Sequence, residues 1–338
     1  MGADLRIETG GVVLKNPVVC GAGEHVMDEA GIRAALDAGV AAVVAKSANE
    51  SQAAREQLRS ADYLLLGPAW EPLPWGAATA GASLLNRSGL VDMPFDDWLE
   101  LLARCDGHAQ SLDAHVIASL IPADPDRLPA LAKAVETAGV RWLELNLSAP
   151  HASEARSGIL RPGRPADVRA LTSAVREAVS LRLTVKLTAE TSDAVALVSA
   201  ALEGGADSVS LMGRHLAFLP DPETRRPVLG TFAAIGGGWA LPLTLRWIAK
   251  TRLALGPAVS LIGSNGARNG LDVARFLLAG ARAVQVTTVG MTEGMSALRR
   301  LLDEFSEYME GCGETAESLV GQAADAALTY EQATGSRR

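Results

Sequence analysis

A (β/α)8 barrel, an α/β domain of eight strand–helix units, is the fold class that this 338-residue sequence predicts. Three observations predict it. Short β-branched apolar runs recur eight times, longer amphipathic stretches separate them, and no shift in composition marks a second domain. A doubly wound sheet is the competing α/β architecture. About 250 residues of barrel plus insertions suits eight units better than six.

The elements follow in order. "LRIETGGVVLKNP" reads as a β-hairpin capping the barrel bottom, because two apolar runs flank a Gly-Gly turn. The eight strand runs are "NPVVCGAG" (16–23), "AAVVAKS" (41–47), "AHVIASLI" (114–121), "WLELNLS" (142–148), "RLTVKLT" (182–188), "ADSVSLMG" (206–213), "AVSLIGSNG" (258–266) and "AVQVTT" (283–288). Between them lie helical stretches such as "DPDRLPALAKAVETAG" and "RPADVRALTSAVREAV", with Pro or Asp near their starts and Gly at or beyond several ends. Residues 48–92, rich in Gly, Pro and Trp, form a long insertion after strand 2. Loops of that length are usually functional or mobile. Residues 1–311 make one barrel domain, and 312–338 a helical or disordered tail.

Composition narrows the function. The chain is 48% hydrophobic with a formal charge of −8, long enough to bury a large core and too acidic to favour nucleic acid. Cys20, Cys105 and Cys312 form neither a disulfide framework nor a metal cluster with the five histidines. No apolar run approaches the ~20 residues of a membrane span, and the start lacks a signal peptide. A cytoplasmic protein without metal, membrane or nucleic-acid partners is expected.

In a barrel the site lies at the C-terminal ends of the strands. Only five lysines stand against 26 arginines, yet Lys46 and Lys186 both sit at strand ends. Either lysine alone could pair with a neighbouring carboxylate or simply reach solvent, but two at equivalent positions with apolar flanks point to the site. The loops after strands 7 and 8, "GSNGARNG" and "TTVGMTEG", offer small residues and the hydroxyls of Ser264, Thr287 and Thr288, as a phosphate site requires. "AAIGGGW" (233–239) adds a third glycine cluster. Three such clusters suit a large, flat, phosphorylated cofactor better than a small sugar phosphate.

These residues carry a resemblance. "LKNPVVCGAG", "VVAKS", "LLNRSGL", "LELNLSAPH", "VKLT" and "LIGSNGARNGLDVARFLLAGARAVQVTT" resemble, in order and over roughly residues 5–305, the motifs of the dihydroorotate dehydrogenase family (class 1-like) and of the flavin domain of dihydropyrimidine dehydrogenases. The resemblance implies a TIM barrel holding FMN. Carried over by position, it implies that Lys46, Ser47, Asn146 and Lys186 contact FMN, with Lys186 polarising the ring. Gly21, Ala22 and Gly23 would lie against the ring, and Gly236, Gly237, Asn265, Gly266, Thr287 and Thr288 would hold the phosphate. Asn86 and Asn146 match two asparagines that hydrogen-bond the pyrimidine in the family.

The chain departs from the family at two places. Ala149 stands where the family has a Cys or Ser base, and a lost base costs about 10² to 10⁴ in rate. At the end of strand 6 the family's Asn-Ser or Asn-Thr pair aligns with Gly213 and Arg214. A guanidinium there favours a planar anion, although a salt bridge to a surface acid is the alternative. His151 is the titratable side chain left on the loop, either an acid–base group or a packing residue, while Ser148 orients a water or backbone; His25 and His215 could also reach the rim. The expected function is an FMN-dependent oxidoreductase with a changed small substrate, amide-like and anionic at Arg214, moving hydride to or from flavin N5. Its candidate catalytic residues are Lys186, Asn146, His151, Asn86, Arg214 and Ser148. A flavin-binding pseudoenzyme or assembly subunit is the alternative. A homodimer is expected, with an unidentified second electron partner and no iron–sulfur relay on this chain.

Overall fold

The computed structural model describes residues 2–49, 51–57, 61–77, 81–148 and 163–335. Ala149 and His151 lie outside the described residues. Eight parallel strands close into a barrel: Val18–Cys20, Ala42–Val44, His115–Leu120, Trp142–Asn146, Arg182–Lys186, Ser208–Leu211, Leu261–Ser264 and Ala283–Val286, here barrel strands 1 to 8. Each lies inside one of the eight predicted runs. Strand 8 pairs with strand 1 through Val284 and Val18, which closes the ring.

A helix follows each strand: Glu29–Asp37, Phe95–Ser111, Leu128–Thr137, Pro165–Ala178, Ala194–Glu203, Leu241–Leu255, Gly270–Ala279 and Met295–Cys312. Local chemistry sets their starts. Asp28, Asp193 and Asn269 accept from the backbone N–H groups of Gly31, Ala196 and Asp272, satisfying donors that a helix start leaves orphaned. Proline fills the first turn of the helices beginning at Leu128, Pro165 and Leu241, where its missing N–H costs nothing. The main core lies between strands and helices, with Trp98, Phe276 and Phe305 fully buried among Val, Leu and Ile. Each such side chain contributes roughly 1.5–3 kcal/mol of transfer free energy.

The inside of the barrel is polar. Alternation along a strand puts residues i and i+2 on one face, so the run "WLELN" turns Trp142, Glu144 and Asn146 the same way. Trp142 donates through Nε1 to Thr184 Oγ1 at 2.8 Å, and Thr184 meets Ser208 at 2.8 Å between their hydroxyl oxygens. Below, the hairpin Ile7–Thr9 and Val12–Leu14 closes the barrel as predicted, with φ of 58° and 78° at Gly10 and Gly11 in its two-residue turn. Gly10 N–H donates to Ser260 and Thr9 Oγ1 to the carbonyl of Arg282, tying the hairpin to the N-terminal ends of strands 7 and 8.

Above, the structure orders what the sequence shows only as loop. The insertion after strand 2 contributes Asp62–Leu66, Pro72–Leu73 and Ser83–Arg87, and the insertion after strand 6 contributes His215–Ala217 and Ala233–Gly237. Together they form one five-stranded sheet over the barrel mouth. Ala233–Gly237 and Ser83–Arg87 pair antiparallel, Ala234 opposite Asn86 and Gly236 opposite Leu84. The glycine cluster at 233–239 is therefore partly a strand. Beyond the last barrel helix, Ala316–Leu319 and Gln322–Asp325 are short helices tied down by Arg282 to Glu317 at 2.6 Å and Arg252 to Asp325 at 2.7 Å.

Candidate active site

The strand ends and the roof sheet enclose a pocket of about 1160 Å³, its open mouth included. Its walls contain Ala22, Gly23, Lys46, Ser47, Asn86, Asn146, Ser148, Lys186, Arg214, Gly236, Asn265, Gly266, Thr287 and Thr288. These fourteen positions come from seven barrel strands and both insertions, so the fold gathers what the sequence scatters. Gly21 and Gly237 do not line it. Gly21 donates its N–H to Val286 O at 2.9 Å, and a Cβ there would strike Thr287 Oγ1, so it sets the approach of strands 1 and 8. Gly237 stands behind Gly236 and donates to Asn265 Oδ1 at 3.3 Å.

The floor is one hydrogen-bonded network. Lys186 Nζ donates to Gln285 Oε1 at 2.8 Å, and Gln285 Nε2 donates to Glu144 Oε2 at 2.6 Å. Ser119 Oγ donates to Glu144 Oε1 at 3.2 Å and meets Ser47 Oγ at 2.8 Å, while Asn146 Nδ2 reaches Ser47 at 3.4 Å. Glu144 is fully buried, with the Lys186 ammonium 3.9 Å from Oε1. A buried acid needs such partners, because an unpaired charge there would cost several kcal/mol. Ser148 donates through both its N–H and its hydroxyl to Asn146 Oδ1, at 3.0 and 2.7 Å.

One wall carries charge. Lys46 Nζ donates to Glu24 Oε1 at 2.6 Å, and the Tyr63 hydroxyl donates to Glu24 Oε2. Burial would raise the Glu24 carboxyl, but the Lys46 charge and hydrogen bond, the Tyr63 hydroxyl and the Arg214 charge outweigh it and hold it below its usual range. Desolvation pushes Lys46 down and Tyr63 up. Arg214 donates to Asn86 Oδ1 and, at 2.7 Å, to Ser88 Oγ. Its guanidinium lines the pocket, and the hydrogen bonds it makes to described residues go to these neutral groups. Asn86 Nδ2 donates to Leu84 O at 3.1 Å. A Cβ at Gly213 would meet Ser148 Cβ at 2.9 Å, so the vacant side chain there is a packing requirement.

The two rim histidines turn elsewhere. His25 Nε2 lies 3.3 Å from Cys20 Sγ, and burial pushes its imidazole down to about 4 and the Cys20 thiol up to about 12. His215 stacks near Trp239 at 5.4 Å and lies 3.8 Å from Glu190. Sequence reasoning missed Glu24, Tyr63, Ser88, Ser119, Glu144 and Gln285. Alternation from Asn146 back to Glu144, and from Thr287 back to Gln285, would have found two; Tyr63 and Ser88 arrive only through the roof sheet.

Fold and site together define a barrel protein with a pocket at the strand C-termini, lined by two lysines, three asparagines and glycine-rich loops. The family model described as dihydroorotate dehydrogenase matches residues 71–309. The chain belongs to the dihydroorotate dehydrogenase family. It is 30% identical over 321 residues to the catalytic subunit of dihydroorotate dehydrogenase B (NAD(+)) of Pyrococcus furiosus, covering 94% of this chain and 98% of that protein. It is 32% identical over 243 residues to dihydroorotate dehydrogenase A (fumarate) of Lactobacillus delbrueckii subsp. bulgaricus, covering 71% and 77% respectively. The catalytic subunit of Thermococcus kodakarensis matches at 30%, over 95% of this chain and 98% of its own.

Proposed function

We propose that this chain is an FMN-dependent oxidoreductase whose pocket takes a small substrate other than dihydroorotate. The carrying observation is the state of Asn86. Its carbonyl oxygen accepts from Arg214 and its amide nitrogen donates to Leu84 O, so each end of the amide that would read a pyrimidine is already engaged within the protein, with one N–H and one lone pair left over. Ala149 adds the lack of a titratable base in the sequence.

The residues fit FMN. The pocket lies open at the strand C-termini beneath the roof sheet, and its lining brings together the positions that the family resemblance assigns to a flat cofactor and a small substrate. Gly236, Gly266 and Ala267 let backbone approach an anion on the side of strands 7 and 8, with Asn265, Thr287 and Thr288 as polar neighbours and Gly237 bracing Asn265. Lys186, Lys46, Ser47 and Asn146 supply the donors for a polar ring edge, and Ala22 and Gly23 leave a flat wall. When bound, FMN supplies a ring that accepts or returns a hydride at N5. The protein's own work is to orient, shield and move a proton. Lys186, fixed by Gln285 and Glu144, presents a steady positive charge where ring charge develops. Arg214 has three further N–H groups with which to align an acceptor on the substrate. The proton passes to His151, a solvent water or the substrate itself.

The same reading makes the protein a cytoplasmic homodimer that needs a second electron partner. Mass spectrometry of the released cofactor should find one FMN per chain; FAD, or no flavin after reconstitution, would sink the proposal. Anaerobic photoreduction followed by a substrate screen separates an enzyme from a flavin-binding scaffold without turnover. Dihydroorotate oxidation at ordinary dehydrogenase rates, about 1 to 10³ s⁻¹, would refute the changed substrate.

A further inference from the structure

Glu24 follows Gly21-Ala22-Gly23 directly, on the short turn Glu24–Val26 that leaves barrel strand 1. Its carboxylate lines the pocket, where donors from three separate parts of the chain converge on it. Lys46 Nζ, at the end of strand 2, reaches Oε1 at 2.6 Å. The backbone N–H of Gly89, on the segment that leaves the roof for the next helix, reaches the same oxygen at 3.2 Å. The Tyr63 hydroxyl, on a roof strand, donates to Oε2. Ammonium, amide N–H and hydroxyl aimed at one point make a seat for a carboxylate, since charge-assisted hydrogen bonds to a carboxylate are the strong ones.

The seat is filled from within. Lys46 is nearly inaccessible, with its side chain 6% exposed, so its charge is neutralised by Glu24 and not by solvent. A substrate bringing its own carboxylate to this end of the pocket would find the Gly89 N–H, the Tyr63 hydroxyl and one N–H of Lys46 already engaged, and a like charge within about 4–6 Å, a range at which two carboxylates resist sharing a site. Orotate and dihydroorotate carry such a carboxylate.

We propose that Glu24 is a built-in carboxylate that occupies the anion seat formed by Lys46, Gly89 and Tyr63, so that the pocket selects a substrate bearing no carboxylate at that end. This deepens the proposed function and rests on it, because it takes the pocket to be the substrate site. It also redistributes the roles of the two cations. Lys46 gives one of its N–H groups to the internal anion, and Arg214, whose charge also acts on Glu24 but whose hydrogen bonds go to Asn86 and Ser88, keeps N–H groups to meet a carbonyl or similar acceptor of the substrate.

The test is orotate binding to FMN-loaded protein by isothermal titration calorimetry, with FMN content measured on the same samples. Wild type is expected to bind orotate weakly or not at all. Glu24→Ala, which empties the seat, is expected to bind it at least 10-fold more tightly, and acetate at tens of millimolar should compete by refilling the seat. Glu24→Gln, which keeps the shape and removes the charge, should show a smaller gain in the same direction. Equal orotate affinity in wild type and both variants, with FMN retained, would overturn the proposal. Loss of FMN from both variants while wild type keeps it would make Glu24 a structural residue and overturn the proposal too. Failure of the wild type itself to hold FMN would instead count against the proposed function.

Discussion

Replacing Glu144 with Gln asks whether the network at the barrel's centre is held by charge or by hydrogen bonds alone. Glu144 accepts from Gln285 Nε2 at 2.6 Å and Ser119 Oγ at 3.2 Å, and the Lys186 ammonium lies 3.9 Å away. A glutamine has one accepting oxygen where the carboxylate has two. It can keep the Gln285 bond, loses the Ser119 donation and leaves Lys186 without a counter-charge. Opposite unit charges at this separation attract by about 4 kcal/mol at an effective dielectric of 20. Removing one member of a buried pair typically costs about 3–5 kcal/mol. Glu144→Gln should therefore lower the free energy of urea unfolding by about 3 kcal/mol, and Lys186→Met by a similar amount. In the double variant neither charge is stranded, so its loss should fall short of the sum by ~1–3 kcal/mol. Additivity within about 0.5 kcal/mol would refute the argument and reduce the floor to independent hydrogen bonds.

Two more changes test other parts of the site. The folded-state pKa of His25 is depressed to about 4 from 6.5, so the unfolded chain binds its proton more readily; stability is full above pH 6.5 and is lost as pH falls through about 4. At 1.36 kcal/mol per pH unit the loss is about 3 kcal/mol, and His25→Gln should flatten that stretch of the Tm-against-pH curve; an unchanged slope would show that other groups carry it. Gly266 has φ of +127°, and a Cβ there would meet Leu241 Cα at 2.5 Å and N at 2.6 Å. Gly266→Ala should cost roughly 1–3 kcal/mol of stability and shift the loop that borders the pocket, seen as a lower Tm and weaker flavin retention; a variant as stable as wild type would show that the backbone there can relax.

The barrel was legible because its signal is local. Each of its strands is a short apolar run and each helix an amphipathic one, and lysines at two strand ends point to the mouth from the sequence alone. The roof was not legible for a physical reason. Its strands pair across long stretches of chain, Asn86 beside Ala234, 148 positions on (234 − 86), and one of them is written largely in Ala and Gly, which have little strand preference of their own. Partners that depend on that pairing, such as Arg214 with Asn86 and Tyr63 with Glu24, could not be read from either segment alone. Glu24 was hidden differently: next to a glycine cluster an acid looks like a solvated turn residue, and only its burial beside Lys46 shows otherwise. The expected role of Asn86 toward a ligand gave no hint that it has partners within the chain, whereas a carboxylate partner was the plain alternative for Lys46.

The roof sheet also bears on how this family can be re-engineered. Ser83–Arg87 lies between Ala233–Gly237 on one side and Asp62–Leu66 on the other, so neither insertion carries a complete sheet. A graft that moved residues 61–87 alone into a relative would arrive with an unpaired edge and no guanidinium for Asn86. One that moved 213–239 alone would bring an arginine with no amide to hold. The two segments form a single exchangeable module despite their distance in sequence, and substrate preference should travel only when both are transplanted together.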